Sequence, residues 1–222
     1  MILFVTAIDT GVGKTYATGL LGRHLLQSST SVITIKLAQT GCRGISEDIL
    51  AHRNLMAMDL TPDDHAGVTC PYVFPLPASP HLAAREMGIT ISLEQLRHNI
   101  AELAARYEHV IIEGVGGICV PLNESETLLD FVAAERYPTL VVSTPKLGSI
   151  NHTLLTLEAL HRCNVPIAGV LYNLHFEADP AIVSDSRNVF KTWLHAHGYA
   201  CPIIDLPTCA SDVAAFSRIL SC

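Results

Sequence analysis

The chain has 222 residues, 49% of them hydrophobic and 16% charged, which is ample apolar content for a core, excludes a disordered chain, and fits one domain over residues 1–222. With 14 Lys+Arg against 21 Asp+Glu the net charge is −7, and an acidic chain without a basic run is poorly suited to nucleic acid. No apolar stretch approaches the ~20 residues that span a bilayer and no basic residue precedes Lys14, as a secretory signal would require, so the expected setting is cytoplasmic, away from membranes.

The first apolar strand is predicted over 2–6 and a helix over 13–27. Between them runs Ala7-Ile-Asp-Thr-Gly-Val-Gly-Lys-Thr15. A phosphate-binding loop needs glycines where amides wrap a phosphate, a lysine at the helix start to bridge phosphate oxygens, and a hydroxyl for Mg²⁺. Gly11, Gly13, Lys14 and Thr15 fill those places, and the helix N-terminus adds partial positive charge. The strict pattern has a glycine where Ile8 stands; the small residue here is Ala7, which makes the loop one residue longer.

The next strand, 32–36, ends in Lys36, either a solubilising lysine or a group facing the same crevice. The run Lys36-Leu-Ala-Gln-Thr-Gly41 leads to Ser46-Glu-Asp48 at the start of a helix near 46–56. Asp48 reads equally as a helix N-terminal acid or as a metal ligand. Residues 69–80 hold four prolines, Pro71, Pro75, Pro77 and Pro80, too many for a central strand; they predict a long loop, a common place for function. A helix over 92–106 opens with the capping-box pair Ser92 and Gln95 and carries Leu93, Leu96, Ile100 and Leu103 on one stripe.

Strand 110–113 is apolar up to Glu113, and Gly114-Val-Gly-Gly117 follows. A carboxylate ending such a strand points into the crevice at the carboxyl ends of an open α/β sheet and supplies the acid that the loop's metal needs; the plainer reading is a solvated edge glutamate. Helices near 127–135, 149–163, 180–196 and 211–220 alternate with strands 139–143, 167–172 and 202–204. Strands apolar on both faces, alternating with helices, give an open α/β sandwich with a parallel sheet.

The seven cysteines form no C-x-x-C pair and read as free thiols. His195 and His197 lie near a predicted helix end, where contact with the last carbonyls accounts for them; metal binding is the weaker reading.

In these motifs the chain resembles the dethiobiotin synthetases. The loop Ala7-Ile8-Asp9-Thr10-Gly11-Val12-Gly13-Lys14-Thr15 has that family's one-residue lengthening. In the family's order there follow Lys36 with Gln39-Thr40-Gly41, Asp48, Pro71-Tyr72 leading to Ser79-Pro80-His81, and Glu113-Gly114-x-Gly116-Gly117. Leu147-Gly148-x-Ile150-Asn151-His152-Thr153 and Asn173 complete the set. The resemblance spans residues 2 to about 208. Two departures are Ala7 for the usual glycine and Leu37 for the proline that usually follows the lysine; Pro145-Lys146 fits no known pattern.

The resemblance implies a P-loop NTPase-like three-layer sandwich, with a mainly parallel sheet of about six to seven strands and helices on both faces. It implies an ATP-dependent ligase: an amine of 7,8-diaminononanoate captures CO₂ as a carbamate, ATP phosphorylates it, and the second amine closes the ureido ring of dethiobiotin. Lys14 and Lys36 would flank the γ-phosphate and carbamate, with Thr10 beside them, and Thr15, Asp48 and Glu113 would hold Mg²⁺. Gly11 to Tyr16 (Gly11, Val12, Gly13, Lys14, Thr15, Tyr16), with Gly114, Val115 and Gly116, would bind ATP. Asn173 would read the adenine edge, with Leu206 and Pro207 lining its pocket. Thr40 and the helix start Gly148, Ser149, Ile150 and Asn151 would take the diamine substrate, the last four from the partner subunit of a homodimer.

Two other readings compete. Partitioning or metal-insertion P-loop ATPases carry an extra lysine near the loop start, and Ile8, Asp9 and Thr10 supply none. An amidotransferase synthetase of the cobyrinate type expects a fused glutaminase domain, for which 222 residues leave no room.

Overall fold

A computed structural model describes residues 1–207 and 213–220. Its strands are β1 (Ile2–Ala7), β2 (Val32–Lys36), β3 (Gln39–Thr40), β4 (Val73–Phe74), β5 (His109–Gly117), β6 (Thr139–Ser143), β7 (Ile167–Tyr172) and β8 (Ile203–Asp205). Six of them form one sheet in the order β2-β5-β1-β6-β7-β8, with every pairing parallel. The helices are α1 (Lys14–Gln27), α2 (Glu47–Met56), α3 (Pro62–His65), α4 (Pro80–Glu86), α5 (Leu93–Ala104), α6 (Leu128–Glu135), α7 (Ser149–Arg162), α8 (Pro180–Ala196) and α9 (Ser217–Leu220), the last preceded by a 3₁₀ turn at Ala214–Phe216.

Strand side chains alternate between two apolar layers, which is why the strands read as unbroken hydrophobic runs. Leu3, Val5 and Ala7 of β1 pack with Leu20, Leu21 and Leu25 of α1. Phe4 faces the other way, into a core shared with α5, α6, α7 and α8. The α5 stripe Leu93, Leu96, Ile100 and Leu103 is buried there, each side chain contributing about 1.5–3 kcal/mol relative to exposure. The result is the P-loop NTPase-like three-layer sandwich.

Several local expectations change. The proline-rich segment is not loop throughout: β4 lies within it and pairs in parallel with β3, Gln39 to Val73 and Thr40 to Phe74. Thr69 and Tyr72 carbonyls accept from the N–H groups of Lys36 and Gln39, so a short accessory sheet prolongs the line of β2. Pro71 falls before those two paired residues and Pro75, Pro77 and Pro80 after them, where no ladder donor is needed. Ser92 caps α5 by accepting from Gln95 N–H, but the Gln95 side chain turns to Asn99 and Ser92 N–H donates to the Tyr72 hydroxyl, so only half a capping box forms. Of the helix expected near 211–220, residues 211 and 212 lie outside the described residues, and the rest holds the 3₁₀ turn Ala214–Phe216 followed by α9.

Candidate active site

The carboxyl ends of β2, β5 and β1 are neighbours, and each delivers one part of a site. The register sets Lys36 opposite Glu113 and Glu113 opposite Val5, so lysine and carboxylate stand beside the loop that leaves β1. In that loop Gly11 and Gly13 take φ of +72° and +105°, which glycine alone adopts without strain. A Cβ on Gly13 would also come within 2.4 Å of Asn173 Nδ2. That amide donates to Val12 O at 2.9 Å, while Asn173 Oδ1 accepts from His175 N–H at 3.0 Å; the loop is braced from the end of β7. Ala7 is an extended strand residue, so its methyl group is accommodated.

Lys36 Nζ is held at 2.8 Å from Glu113 Oε1, 2.7 Å from Asp48 Oδ2 and 3.0 Å from the Gly114 carbonyl. The Thr15 hydroxyl lies 3.0 Å from Asp48 Oδ1 and 3.0 Å from Glu113 Oε1. Asp48 is thus both things at once: an acid in the first turn of α2, capped by Ser46, and a carboxylate aimed at Lys36. Burial opposes charge on Glu113, yet the Lys36 ammonium and a hydrogen bond from His52 outweigh it and draw its pKa down to about 2. Burial likewise opposes charge on Lys36, but Glu113 and Asp48 prevail and hold the ammonium above the ordinary lysine value. Lys14 has no such surplus: burial and then the positive charge of Lys36 lower it to about 8, and its Nζ donates to the loop's own Asp9 carbonyl at 3.1 Å.

A cavity of about 810 Å³ opens over this cluster. Thr10, Gly11, Gly13, Lys14, Thr15 and Tyr16 form its loop side, and Lys36, Thr40, Asp48, Glu113, Val115 and Gly116 its floor and flank. The far wall is Pro77 to Pro80 from the proline-rich segment. Val12, Gly114, Asn173, Leu206 and Pro207 do not line it. The Pro207 carbonyl accepts from the Tyr16 hydroxyl at 2.9 Å and lies 3.1 Å from His175 Nε2, and the two rings meet edge to face. Gly148, Ser149, Ile150 and Asn151 also lie outside the cavity, at the first turn of α7, beside a fully exposed Leu147. Lys146, unexplained in sequence, places its Nζ 3.8 Å from the centre of the Phe176 ring, a cation–π contact.

His52 was not apparent from the sequence. It is fully buried, with Nε2 2.7 Å from Glu113 Oε2; its spacing of four from Asp48, which puts both on one face of α2, was the available signal. Leu37 also gains a reason: its N–H donates to the Glu113 carbonyl at 3.2 Å, a bond proline could not make.

Two carboxylates and one hydroxyl converge around a single point, where the Lys36 ammonium shows that positive charge is accommodated. Such hard oxygens suit Mg²⁺, which commonly takes one or two protein carboxylates and completes its shell with water and phosphate. No larger cluster of His, Cys, Asp or Glu able to hold a metal occurs among the described residues. His197 Nδ1 instead lies 2.8 Å from the Trp193 carbonyl at the end of α8. Cys42, Cys70, Cys119 and Cys163 are free thiols, and burial pushes Cys70 up to about 12; Cys209 and Cys222 lie outside the described residues.

Comparison with known proteins places this geometry. The model of an AAA domain family matches residues 2–200. Among solved structures, a ParA family ATPase from Chlorobium tepidum superposes with a TM-score of 0.54 at 15% identity, over 99% of this chain and 89% of that one. The MinD cell division protein of Aquifex aeolicus gives 0.52 at 16%, over 96% and 85%. At those identities the likeness is one of fold. In sequence, the chain is 46% identical over 196 residues to the ATP-dependent dethiobiotin synthetase BioD 2 of Pasteurella multocida, covering 88% of this chain and 92% of the relative. It is 46% identical over 223 residues to the BioD of Chlorobaculum tepidum, covering 99% and 93%. With nearly half its positions shared along almost all of its length, the chain belongs to the dethiobiotin synthetase family.

Proposed function

We propose that residues 1–222 form one P-loop α/β domain acting as an ATP-dependent dethiobiotin synthetase in the cytoplasm. Its substrates would be ATP, CO₂ or bicarbonate, and 7,8-diaminononanoate, its metal Mg²⁺, and its working unit a homodimer. The observation that carries this reading is the meeting of Lys14, Lys36, Thr15, Asp48 and Glu113 in one cavity, in a chain 46% identical to enzymes of that name.

The residue types suit the chemistry. A carbamate is a poor electrophile, and phosphorylation makes its oxygen a leaving group. Two anions must approach each other, so cations are needed where they meet. The loop amides and Lys14 bind the phosphates. Lys36 keeps its charge at neutral pH because Glu113 and Asp48 hold it, and it offers that charge to the γ-phosphate and carbamate. Thr15, Asp48 and Glu113 would hold Mg²⁺, which supplies further neutralisation of phosphate charge when bound. Thr40, which lines the cavity, would meet the diamine end of the substrate, and Pro77 to Pro80 would bound it on the far side. The second amine then attacks the carbamoyl carbon, phosphate departs, and the ring closes.

Gly148 to Asn151 lie outside the cavity over Lys36 and Glu113, and Leu147 and Leu155 beside them are exposed; this supports a helix start donated to a second subunit, where its N-terminal amides would take the substrate carboxylate. A partitioning-type ATPase is not favoured, since Ile8, Asp9 and Thr10 offer no lysine to reach across a dimer.

The test is ADP release from ATP, Mg²⁺ and bicarbonate with and without diaminononanoate. Strong dependence on the diamine is expected, and hydrolysis at an equal rate without it would sink the assignment.

A further inference from the structure

The two oxygens of the Glu113 carboxylate have different tasks. Oε1 faces the site, 3.0 Å from the Thr15 hydroxyl and 2.8 Å from Lys36 Nζ. Oε2 faces away from the site and is met by His52 Nε2 at 2.7 Å. Since an ionised carboxylate only accepts, the imidazole must present its proton at Nε2. Nδ1 of the same ring is buried and has no hydrogen-bond partner among the described residues. The ring therefore forgoes one bond of its own while serving Glu113.

Helix α2 fixes that ring. Arg53, the next residue, is clamped to Asp64 at 2.9 and 2.7 Å and to the Thr34 hydroxyl at 2.6 Å. One turn earlier the same helix supplies Asp48. A single element thus brings one carboxylate into the site and, four residues on, the donor that orients the other.

We propose that His52 is a positioning residue, whose Nε2–H fixes the rotation of the Glu113 carboxylate so that Oε1 is presented ready-made to the divalent cation and to Lys36. It rests on the reading of Thr15, Asp48 and Glu113 as the Mg²⁺ ligands. Removing an outer partner of this kind costs 10–100-fold in metal affinity in other sites.

The experiment is a titration of Mn²⁺ into the enzyme complexed with a non-hydrolysable ATP analogue, free Mn²⁺ being read by electron paramagnetic resonance. His52→Leu is expected to weaken Mn²⁺ binding about 10–100-fold and to raise the Mg²⁺ concentration for half-maximal turnover in parallel, with metal-free analogue affinity unchanged. His52→Gln, whose amide can donate from near the Nε2 position, is expected to recover most of the metal affinity. Wild-type Mn²⁺ affinity in His52→Leu, or a Gln variant as weak as the Leu variant, overturns the proposal. Should the Leu variant fail to fold, His52→Asn replaces it: its amide is too short to reach Oε2, so equal affinity in the Asn and Gln variants overturns the proposal too. Asp48→Asn tests the ligand set: unchanged Mn²⁺ affinity there overturns both ligand set and proposal. Neither diamine nor CO₂ enters the Mn²⁺ titrations, so failure of the synthetase reading shows in the turnover assays and leaves the Mn²⁺ readout to judge the proposal.

Discussion

Lys36 and Glu113 are register partners on adjacent parallel strands, and their charged atoms meet at 2.8 Å with the carboxylate fully buried. A buried pair of this kind is weak evidence for stability, because desolvating both charges offsets most of their attraction. Its value here is chemical. Held by two carboxylates, Lys36 remains an ammonium on the cavity floor, where a lysine buried alone would tend to lose its proton.

Lys36→Ala is expected to lower kcat on the order of 10²–10³-fold or more, while affinity for an ATP analogue, which rests on the loop amides and Lys14, stays nearly constant. It also leaves Glu113 buried without its cation, a loss of about 3–5 kcal/mol that denaturant unfolding would read. Loss of analogue binding with kcat preserved at saturation would remove Lys36 from the chemical step.

Lys14 predicts a proton linkage. Its folded-state pKa of about 8 lies below the ordinary 10.5, so the charged form carries a folding penalty that is full below pH 8 and fades as pH rises from 8 to 10.5. Phosphates arriving beside it favour the ammonium. Binding of an ATP analogue near pH 8 should therefore take up protons, measurable by calorimetry in two buffers of different ionisation enthalpy. Identical apparent enthalpies in both buffers would rule this linkage out.

Arg53 and Asp64 form another deeply buried pair. Burial opposes charge on Asp64, but hydrogen bonds from Arg53, Thr61 and Thr69 draw its pKa down to about 2. Arg53→Ala should cost about 3–5 kcal/mol, since it leaves Asp64 unpaired in the interior. The depressed pKa adds stability that is present above the unfolded value of 3.8 and is lost as pH falls towards 2. The variant should accordingly unfold at a higher pH on acid titration than the parent does. An unchanged acid midpoint would contradict this.

Much of the molecule could be read from the chain. Strands 32–36, 139–143 and 167–172 have the bounds expected, because each is an apolar run between turn residues and is buried on both faces. The loop glycines, Lys14, Thr15, Lys36, Asp48 and Glu113 were legible because strand ends and helix starts are marked locally, and the structure brings them together. What was not legible depends on contacts distant in sequence. His52 is one of 11 histidines, and nothing near it shows that its Nε2 will meet Glu113, 61 residues on. The β3–β4 pairing joins segments too short and too rich in proline to announce themselves. Gln95 had a suitable partner at Ser92, and Asn99, one turn further along α5, took it instead.

The Asn173 brace carries a consequence for how the protein is made. Val12 and Asn173 are 161 positions apart, and in chain order three strands of the large sheet, β2, β5 and β6, come between β1 and β7. A nascent chain that has emerged only as far as β6 holds every loop glycine and Lys14 but not the amide that supports the turn from below. The turn that Gly11 and Gly13 make is thus braced only once β7 has been added, so the loop reaches its finished form late in the chain.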